Sequence, residues 1–120
     1  MVRGREEAGT EEIVYDTSQL ISFQKSGKSI VNGFTTIFNI IEFPKALDLK
    51  ELAIIYPTID DYEESLRIST QLLKKGTPIQ AVDVMTAAIC IRRNLTLSTK
   101  DKDFVKVRKV RNNFRFELVK

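Results

Sequence analysis

Residues 79–104 read IQAVDVMTAAICIRRNLTLSTKDKDF, and they contain the clearest change from helical to strand periodicity in the chain. From Ile79 to Arg93 the apolar residues recur at helical spacing. After Asn94 the run Leu95 to Ser98 alternates as a strand does, and Lys100 to Val107 is predicted to form a short helix. Strands that alternate with helices are typical of a parallel sheet.

The same alternation extends over the rest of the chain. Further strands are predicted at Glu12 to Tyr15, Ile30 to Val31 and Phe114 to Val119. Further helices are predicted from Leu20 to Lys25, around Ile37 to Glu42, from Leu47 to Tyr56, and from Asp60 to the stop at Lys74-Lys75-Gly76. We therefore expect an α/β fold of three layers, α/β/α, around a central, mostly parallel, twisted sheet.

Length and composition indicate one globular domain. A chain of 120 residues can bury one core, and its 42% hydrophobic and 29% charged residues are ordinary globular values. Residues 1–11 mix both charge signs and are predicted to be a flexible tail on a single domain, 12–120. No stretch is long and apolar enough to span a membrane or act as a signal peptide, so we expect a cytoplasmic protein without a membrane partner.

The residue types present exclude several chemistries. The chain has no histidine and one cysteine, Cys90, which lies in an apolar run and is interpreted as a small buried hydrophobe. Metal sites built from thiolate or imidazole, an internal disulfide and a histidine base are therefore excluded. Any catalysis must use carboxylates, hydroxyls or lysines.

Carboxylates stand where the predicted sheet places a ligand. Asp16 follows the first strand, and Asp101 and Asp103 follow the strand that begins at Leu95. In parallel α/β sheets, ligands bind outside the carboxyl ends of the strands. Asp83, early in its helix, and Glu42, late in its own, can project to the same edge. A cluster of oxygen ligands suits hard divalent cations such as Mg²⁺.

Each of these residues also has a purely structural interpretation. Asp16 and Ser18 can cap a helix, and Asp83 can complement a helix dipole. Ser98 with Asp101 fits a capping box, and Glu42 can be a solvated helix residue. Taken singly, the two interpretations are about equally plausible, but their combination favours a site.

Charge is unevenly distributed along the chain. The formal net charge is +3, yet the stretch from Arg92 to Lys120 carries ten basic and three acidic side chains. A polyanion is therefore expected to meet the C-terminal quarter, although a solvated basic face explains such a run equally well.

These stretches resemble the motifs of a known family. Residues 13–21, IVYDTSQLI, are similar to an opening strand with its aspartate, and 36–42, TIFNIIE, to a helix with an inward glutamate. Residues 81–88, AVDVMTAA, followed by 95–104, LTLSTKDKDF, resemble the third and fourth acidic motifs in the correct order. The family is that of the PIN-domain nucleases, and within it the small VapC-like toxins of prokaryotic toxin-antitoxin pairs. One difference is the short distance from Asp16 to Glu42, which indicates a trimmed N-terminal half.

The resemblance implies a Mg²⁺- or Mn²⁺-dependent endoribonuclease that hydrolyses RNA phosphodiester bonds. Asp16, Asp83 and Asp101 would hold the metal, with Glu42 holding it directly or through water and Asp103 supporting from outside. Thr99, and with less support Thr17 or Ser18, would hydrogen-bond a carboxylate or a metal-bound water. The candidate phosphate contacts are Lys100, Lys102, Lys106 and Arg108, with Lys109 and Arg111 beside them.

The resemblance also implies partners. A VapC-like toxin would form a homodimer and bind a small antitoxin protein, and the apolar residues Leu66, Leu72 and Leu73 are candidates for the dimer surface, with core packing as the alternative.

Two other functions are compatible with parts of the pattern. One is a catalytically silent PIN-like module that binds RNA or protein, which the presence of all five acids disfavours. The other is a phosphoacceptor receiver domain, also doubly wound and acidic, which needs an acceptor aspartate after a middle strand. The stretch from Leu47 to Lys75 is predicted to be helical and so offers no such strand.

Overall fold

The computed structural model describes residues 12–120, which form five strands, five α-helices and one 3₁₀-helix. The strands are β1 (Ile13–Tyr15), β2 (Ile30–Thr36), β3 (Lys50–Ile55), β4 (Thr96–Thr99) and β5 (Arg115–Leu118). The helices are α1 (Thr17–Lys25), α2 (Ile37–Glu42), α3 (Ile59–Lys74), α4 (Ala81–Arg93) and α5 (Phe104–Val110), with the 3₁₀-helix at Pro44–Asp48. The predicted flexible tail, residues 1–11, lies outside the described residues.

All five strands run parallel in one sheet, in the order β3-β2-β1-β4-β5. β1 is the middle strand, and its Val14 lies opposite Phe34 of β2 and Leu97 of β4. The predicted α/β fold with a parallel sheet is therefore confirmed. Because parallel strands end at the same edge, the residues that follow β1 and β4 are neighbours in space.

Helices cover both faces of this sheet. Val14 belongs to an apolar cluster with residues of α3, α4 and α5. The next residue, Tyr15, packs against a second cluster, which contains Leu20 of α1 and Ile40 of α2. Successive side chains of a strand point to opposite faces, so each cluster fills one face. Within residues 12–120, no helix has both the length and the apolar character needed to cross a membrane.

The helix predicted from Leu47 to Tyr56 is wrong. Residues Lys50–Ile55 form the edge strand β3, which pairs with β2, and only Pro44–Asp48 before it is helical. Glu51 has a φ of 72°, which no α-helix can accommodate. Short apolar runs fit a helix and a strand alike, and here pairing with β2 decides between them.

The argument against a receiver domain was that the chain has no strand between Leu47 and Lys75. That argument fails, because β3 is such a strand and is the third of five in chain order. Two other observations replace it. The strand order differs from the flavodoxin-like order, 2-1-3-4-5, that receiver domains share. In addition, β3 is followed by Tyr56 and Pro57 and not by an acceptor aspartate.

Three further expectations need adjustment. β2 spans Ile30–Thr36 and is longer than the predicted Ile30 to Val31. α5 begins at Phe104, later than the predicted start at Lys100, because residues 100–103 form a turn. Leu72 is fully buried in the core, so it cannot face a partner, whereas Leu66 and Leu73 are 69% and 62% exposed.

β2 approaches β1 closely at a glycine. Gly33 has a φ of 150°, and the pairing of β2 with β3 shifts its register between Ile30 and Gly33. A Cβ at this position would lie 2.8 Å from the Tyr15 ring and 3.0 Å from the Ile13 carbonyl oxygen. Only glycine avoids both the strained backbone and this clash. The close approach of β2 to β1 places α2, which follows β2, beside the end of β1.

A buried carboxylate ties the start of α3 to the end of α4. Asp61 forms a capping box with Thr58, and its Oδ1 and Oδ2 accept hydrogen bonds from Arg92 and Arg93 at 2.8 Å. Its side chain is 2% exposed. Burial alone would raise the pKa of Asp61, but the bonds from Arg93, the Thr58 backbone and Arg92 outweigh burial and hold this pKa well below its ordinary value.

We expect Asp61→Asn to lower the free energy of unfolding by about 2 to 4 kcal/mol, because it leaves two arginines without their charged partner. Asp60→Asn is the matched control. Asp60 is 72% exposed and reaches Arg92 at 3.6 Å, so its loss should cost less than about 0.5 kcal/mol. Urea denaturation of the three proteins measures both values. Equal effects of the two substitutions would contradict the role assigned to Asp61.

Candidate functional site

Asp16 lies at the carboxyl end of the middle strand and is 6% exposed. As the N-cap of α1, its Oδ1 accepts hydrogen bonds from the Gln19 backbone N–H at 3.2 Å and from the Ser18 hydroxyl at 2.7 Å. Its Oδ2 accepts a bond of 2.5 Å from the Thr99 hydroxyl at the end of β4. Asp16 therefore caps α1 and also bonds the end of the neighbouring strand β4.

The turn after β4 positions the next two acids. Thr99 Oγ1 accepts from the Asp101 backbone N–H at 3.0 Å, and Asp101 Oδ1 accepts from the Asp103 backbone N–H at 2.9 Å. The capping box considered for Ser98 and Asp101 is absent from this turn. Ser98 Oγ instead accepts a hydrogen bond of 2.7 Å from the Gln19 side chain.

Two more carboxylates come from helices. Asp83 lies in the first turn of α4, and Glu42 is the last residue of α2. Both line the same cavity as Asp16 and Asp101, and its volume is about 270 Å³. The remaining lining residues are Thr17, Ser18, Ile21, Asn39 and Gln80. Four acids from well-separated parts of the sequence thus meet at one edge of the sheet.

The carboxylates of this cavity oppose one another's ionisation. Burial, and then the charges of Asp101, Asp16, Glu42 and Asp103, raise the pKa of Asp83 to about 7. Burial also raises the pKa of Asp16, and this outweighs the hydrogen bonds from Thr99, Ser18 and Gln19. None of the lining residues within 12–120 is basic. The described part of the chain therefore concentrates negative charge in this cavity without a basic side chain in the lining.

The lining chemistry fits a hydrated divalent cation. Within the part of the chain that the structure describes, no three histidine, cysteine, aspartate or glutamate side chains are grouped closely enough to hold a metal ion as they stand. Both oxygens of Asp16 accept bonds from protein donors, and Glu42 is held by Thr17. Mg²⁺ keeps several of its waters, however, and such a shell can span carboxylates that are spread around a cavity.

The other candidate residues lie outside the cavity lining. Thr99 contacts two lining residues, Asp16 and the Asp101 backbone, and Asp103 forms an ion pair of 3.3 Å with Lys106. Lys100 donates from Nζ to Ser22 of α1 at 2.5 Å. Lys102, Arg108 and Lys109 are exposed around α5.

Arg111 differs from the other predicted phosphate contacts. Its guanidinium forms an ion pair of 3.0 Å with Glu64 of α3 and also bonds Gln71. Its guanidinium is therefore occupied by contacts with α3.

Sequence reasoning missed three polar residues of the site. Asn39, which is 2% exposed, and Gln80 line the cavity, and Gln19 connects the ends of β1 and β4 through Ser98. One signal was available for Asn39, because it precedes Glu42 by three residues and so shares its helix face. No comparable signal existed for Gln19, whose partner is 79 residues away.

Comparison with known proteins gives both a sequence match and structural matches. The family model described as PIN domain matches residues 39–110, more than half of the chain. No curated protein matches the sequence.

Three solved structures have similar folds. The DNA-bound VapBC from Salmonella typhimurium matches with a TM-score of 0.74 and 16% identity, covering 90% of this chain and 98% of that one. VapBC-5 from Mycobacterium tuberculosis, of the VapBC family of toxin-antitoxin systems, matches with a TM-score of 0.73 and 18% identity, covering 92% of this chain and 100% of that one. VapBC2 from Rickettsia felis, bound to a promoter DNA fragment, matches with a TM-score of 0.66 and 18% identity, covering 88% of this chain and 97% of that one. At such identities the likeness shows the fold.

We expect Asp83→Asn to stabilise the metal-free protein above neutral pH. The folded-state pKa of about 7 exceeds the ordinary 3.8, so wild-type stability falls as pH rises from the lower value through the higher one. Asparagine cannot ionise and escapes this loss. In EDTA, the mutant should melt above the wild type already at about pH 5, and the difference should be larger at about pH 8.

The control is Asp48→Asn, at an exposed position of the 3₁₀-helix, which should show no such pH dependence. Added Mg²⁺ should raise the melting temperature of the wild type more than that of Asp83→Asn. If Asp83 only complements the dipole of α4, the mutant should melt lower at both pH values, and Mg²⁺ should have no effect.

Proposed function

The chain belongs to the PIN domain family, a family of nucleases, and on that premise we propose that it is a Mg²⁺- or Mn²⁺-dependent endoribonuclease. The observation that carries this proposal is the meeting of Asp16, Glu42, Asp83 and Asp101 around one cavity. Hydrolysis of RNA phosphodiester bonds is the reaction that such a cluster serves best.

In the proposed site, Asp16, Asp83 and Asp101 hold the divalent ion, and Glu42 contacts it directly or through water. When bound, the ion lowers the pKa of a water, shields the phosphate and stabilises charge on the leaving oxygen. Thr99 orients Asp16 by its 2.5 Å hydrogen bond, and Asp103 adds negative charge from outside the cavity.

The raised pKa of Asp83 supports a role for the ion in assembling the site. Without a cation, four close carboxylates repel one another and would also repel a phosphate. A divalent ion removes both repulsions, so its binding prepares the cavity for a polyanionic substrate.

Basic residues beside the cavity are proposed to hold the RNA backbone. Lys100 and Lys102 lie in the turn that carries Asp101 and Asp103, and Lys106 and Arg108 lie on α5, which follows that turn. Such groups supply affinity for phosphates without reading a sequence. Cellular RNA as the substrate would place the activity in the cytoplasm.

A catalytically silent PIN module that binds RNA or protein is the alternative proposal. It predicts RNA binding without cleavage in the presence of Mg²⁺ and Mn²⁺. All five acids of the family motifs are present in this sequence, at positions 16, 42, 83, 101 and 103, which favours the active enzyme.

The structural matches support a further proposal, that the protein is the toxin of a toxin-antitoxin pair and forms a homodimer. An apolar groove of about 240 Å³ runs between α3 and α4 and is lined by Tyr62, Leu66 and Met85, among others. Exposed apolar surface of this kind is typical of a protein contact. The antitoxin would be a small protein encoded beside this chain.

The nuclease proposal predicts cleavage of single-stranded RNA with Mg²⁺ or Mn²⁺ and none with EDTA. Asp16→Asn should reduce the rate by more than about 100-fold, since loss of even an outer partner of a metal ligand costs about 10- to 100-fold. Asparagine still caps a helix, so the variant should remain folded.

Asp48→Asn, far from the cavity lining, is the matched control and should cleave at the wild-type rate. The measurement is product formation on a denaturing gel. Cleavage that survives both EDTA and Asp16→Asn would come from a contaminant, and RNA binding without cleavage would favour the silent module.

The dimer proposal predicts that Leu66→Glu dissociates the protein and Leu73→Glu does not. Both leucines are exposed on α3, but only Leu66 lines the groove, so a buried charge would arise only there. Light scattering at several concentrations measures the mass. A wild-type monomer at high concentration would overturn the dimer.

A further inference from the structure

A single hydroxyl connects Glu42 to the protein interior. Thr17 Oγ1 lies 2.6 Å from Glu42 Oε1 and 2.9 Å from Asn39 Oδ1. Both oxygens are acceptors, and a hydroxyl carries one hydrogen, so Thr17 can donate to only one of them at a time. A bond to a charged carboxylate is the stronger of the two, which favours donation to Glu42.

Asn39 is fixed in place by other bonds. Its Nδ2 donates to Thr36 Oγ1 at 3.0 Å and to Thr35 Oγ1 at 3.3 Å. Thr35 in turn donates to the Tyr15 carbonyl oxygen at 2.7 Å, at the end of the middle strand. The amide cannot rotate without breaking these bonds, so Oδ1 stays directed at Thr17. Buried bonds thus anchor Asn39 to the end of β1.

This arrangement leaves one buried acceptor available to a ligand. Within residues 12–120, the Thr17 hydroxyl is the only donor within hydrogen-bonding distance of Asn39 Oδ1. When that hydroxyl donates to Glu42, Asn39 Oδ1 needs another donor, because Asn39 is only 2% exposed. Asn39 lines the acidic cavity, so a water held by a bound cation can supply it.

We infer that Thr17 and Asn39 are positioning residues for divalent-cation binding: Thr17 holds Glu42 by Oε1, and Asn39 Oδ1, which then lacks the Thr17 hydrogen, accepts from the cation's water shell. This inference rests on the proposed metal-dependent function. Glu42 is exposed at the end of a six-residue helix, where a free side chain would sample several rotamers. The Thr17 bond restricts those rotamers before the cation arrives, which reduces the entropy lost on binding.

The competing explanation is that the Thr17 hydroxyl only joins α1 to α2. Both explanations predict a less stable Thr17→Val variant, so stability alone cannot separate them. They differ in whether the effect on cation affinity depends on Glu42. A double-mutant cycle between the two positions measures that dependence.

The experiment is titration of the purified full chain with Mn²⁺ alone, followed by electron paramagnetic resonance of free Mn²⁺, without RNA. Thr17→Val should weaken Mn²⁺ binding about 10-fold, as loss of an outer partner of a metal ligand typically does. Thr17→Ser keeps the hydroxyl and should bind within about twofold of the wild type. In a Glu42→Gln background, Thr17→Val should weaken binding by less than about twofold.

Two further variants complete the set. Thr17→Ala lacks the hydroxyl without adding a second methyl, and it replaces Thr17→Val if melting curves show that the valine protein is unfolded. Ser26→Ala removes another hydroxyl of the same region, which bonds only the Phe23 carbonyl oxygen, and should leave Mn²⁺ affinity unchanged.

Three results would overturn the inference: equal Mn²⁺ affinity in wild type and Thr17→Val, failure of Thr17→Ser to restore binding, or an undiminished effect of Thr17→Val in the Glu42→Gln background. In each case wild-type Mn²⁺ binding and RNA cleavage would persist, and the proposed nuclease would stand. A wild type that binds no Mn²⁺ would remove both the inference and the metal-dependent function.

Discussion

Parallel pairing of β1 with β4 is the constraint on which the candidate site depends. Tyr15 lies opposite Ser98, so Asp16, which follows β1, lies beside Thr99, the last residue of β4, and a short hydrogen bond joins them. The α4 crossover that precedes β4 then places Asp83 at the same edge. Without this register, Asp16 would only cap α1 and would not meet the acid that follows β4.

The site brings together charges that repel, and the rest of the fold must hold them. Burial and like charge raise the pKa of Asp83, which means that ionising it costs folding free energy. At the opposite end of α4, Arg92 and Arg93 bond Asp61, which fixes α4 against α3. The attractive pairs thus lie at one end of the helix and the repulsive carboxylates at the other. In the proposed function, a bound divalent cation would relieve that repulsion.

Hydroxyl and amide groups provide the remaining order in the cavity. Thr99 and Ser18 bond Asp16, while Thr17 bonds Glu42, so two of the four lining carboxylates are oriented by neutral donors that add no charge. Neutral donors orient a carboxylate but leave its negative charge in place, whereas a lysine would neutralise that charge. This explains how a cavity lined by no basic residue of 12–120 can still hold its acids in defined positions.

The sequence by itself determined the α/β class, the family, and the acids that follow β1 and β4, because strand and helix periodicity and junction residues are local properties. It did not determine β3: the run from Leu47 to Tyr56 is too short to separate helix from strand, and its pairing with β2 is a tertiary event. Leu66 and Leu72 have the same chemistry, and only packing exposes one and buries the other. The contacts of Thr17 with Asn39 and Glu42 join residues 22 and 25 positions apart, so only the folded chain could bring them together.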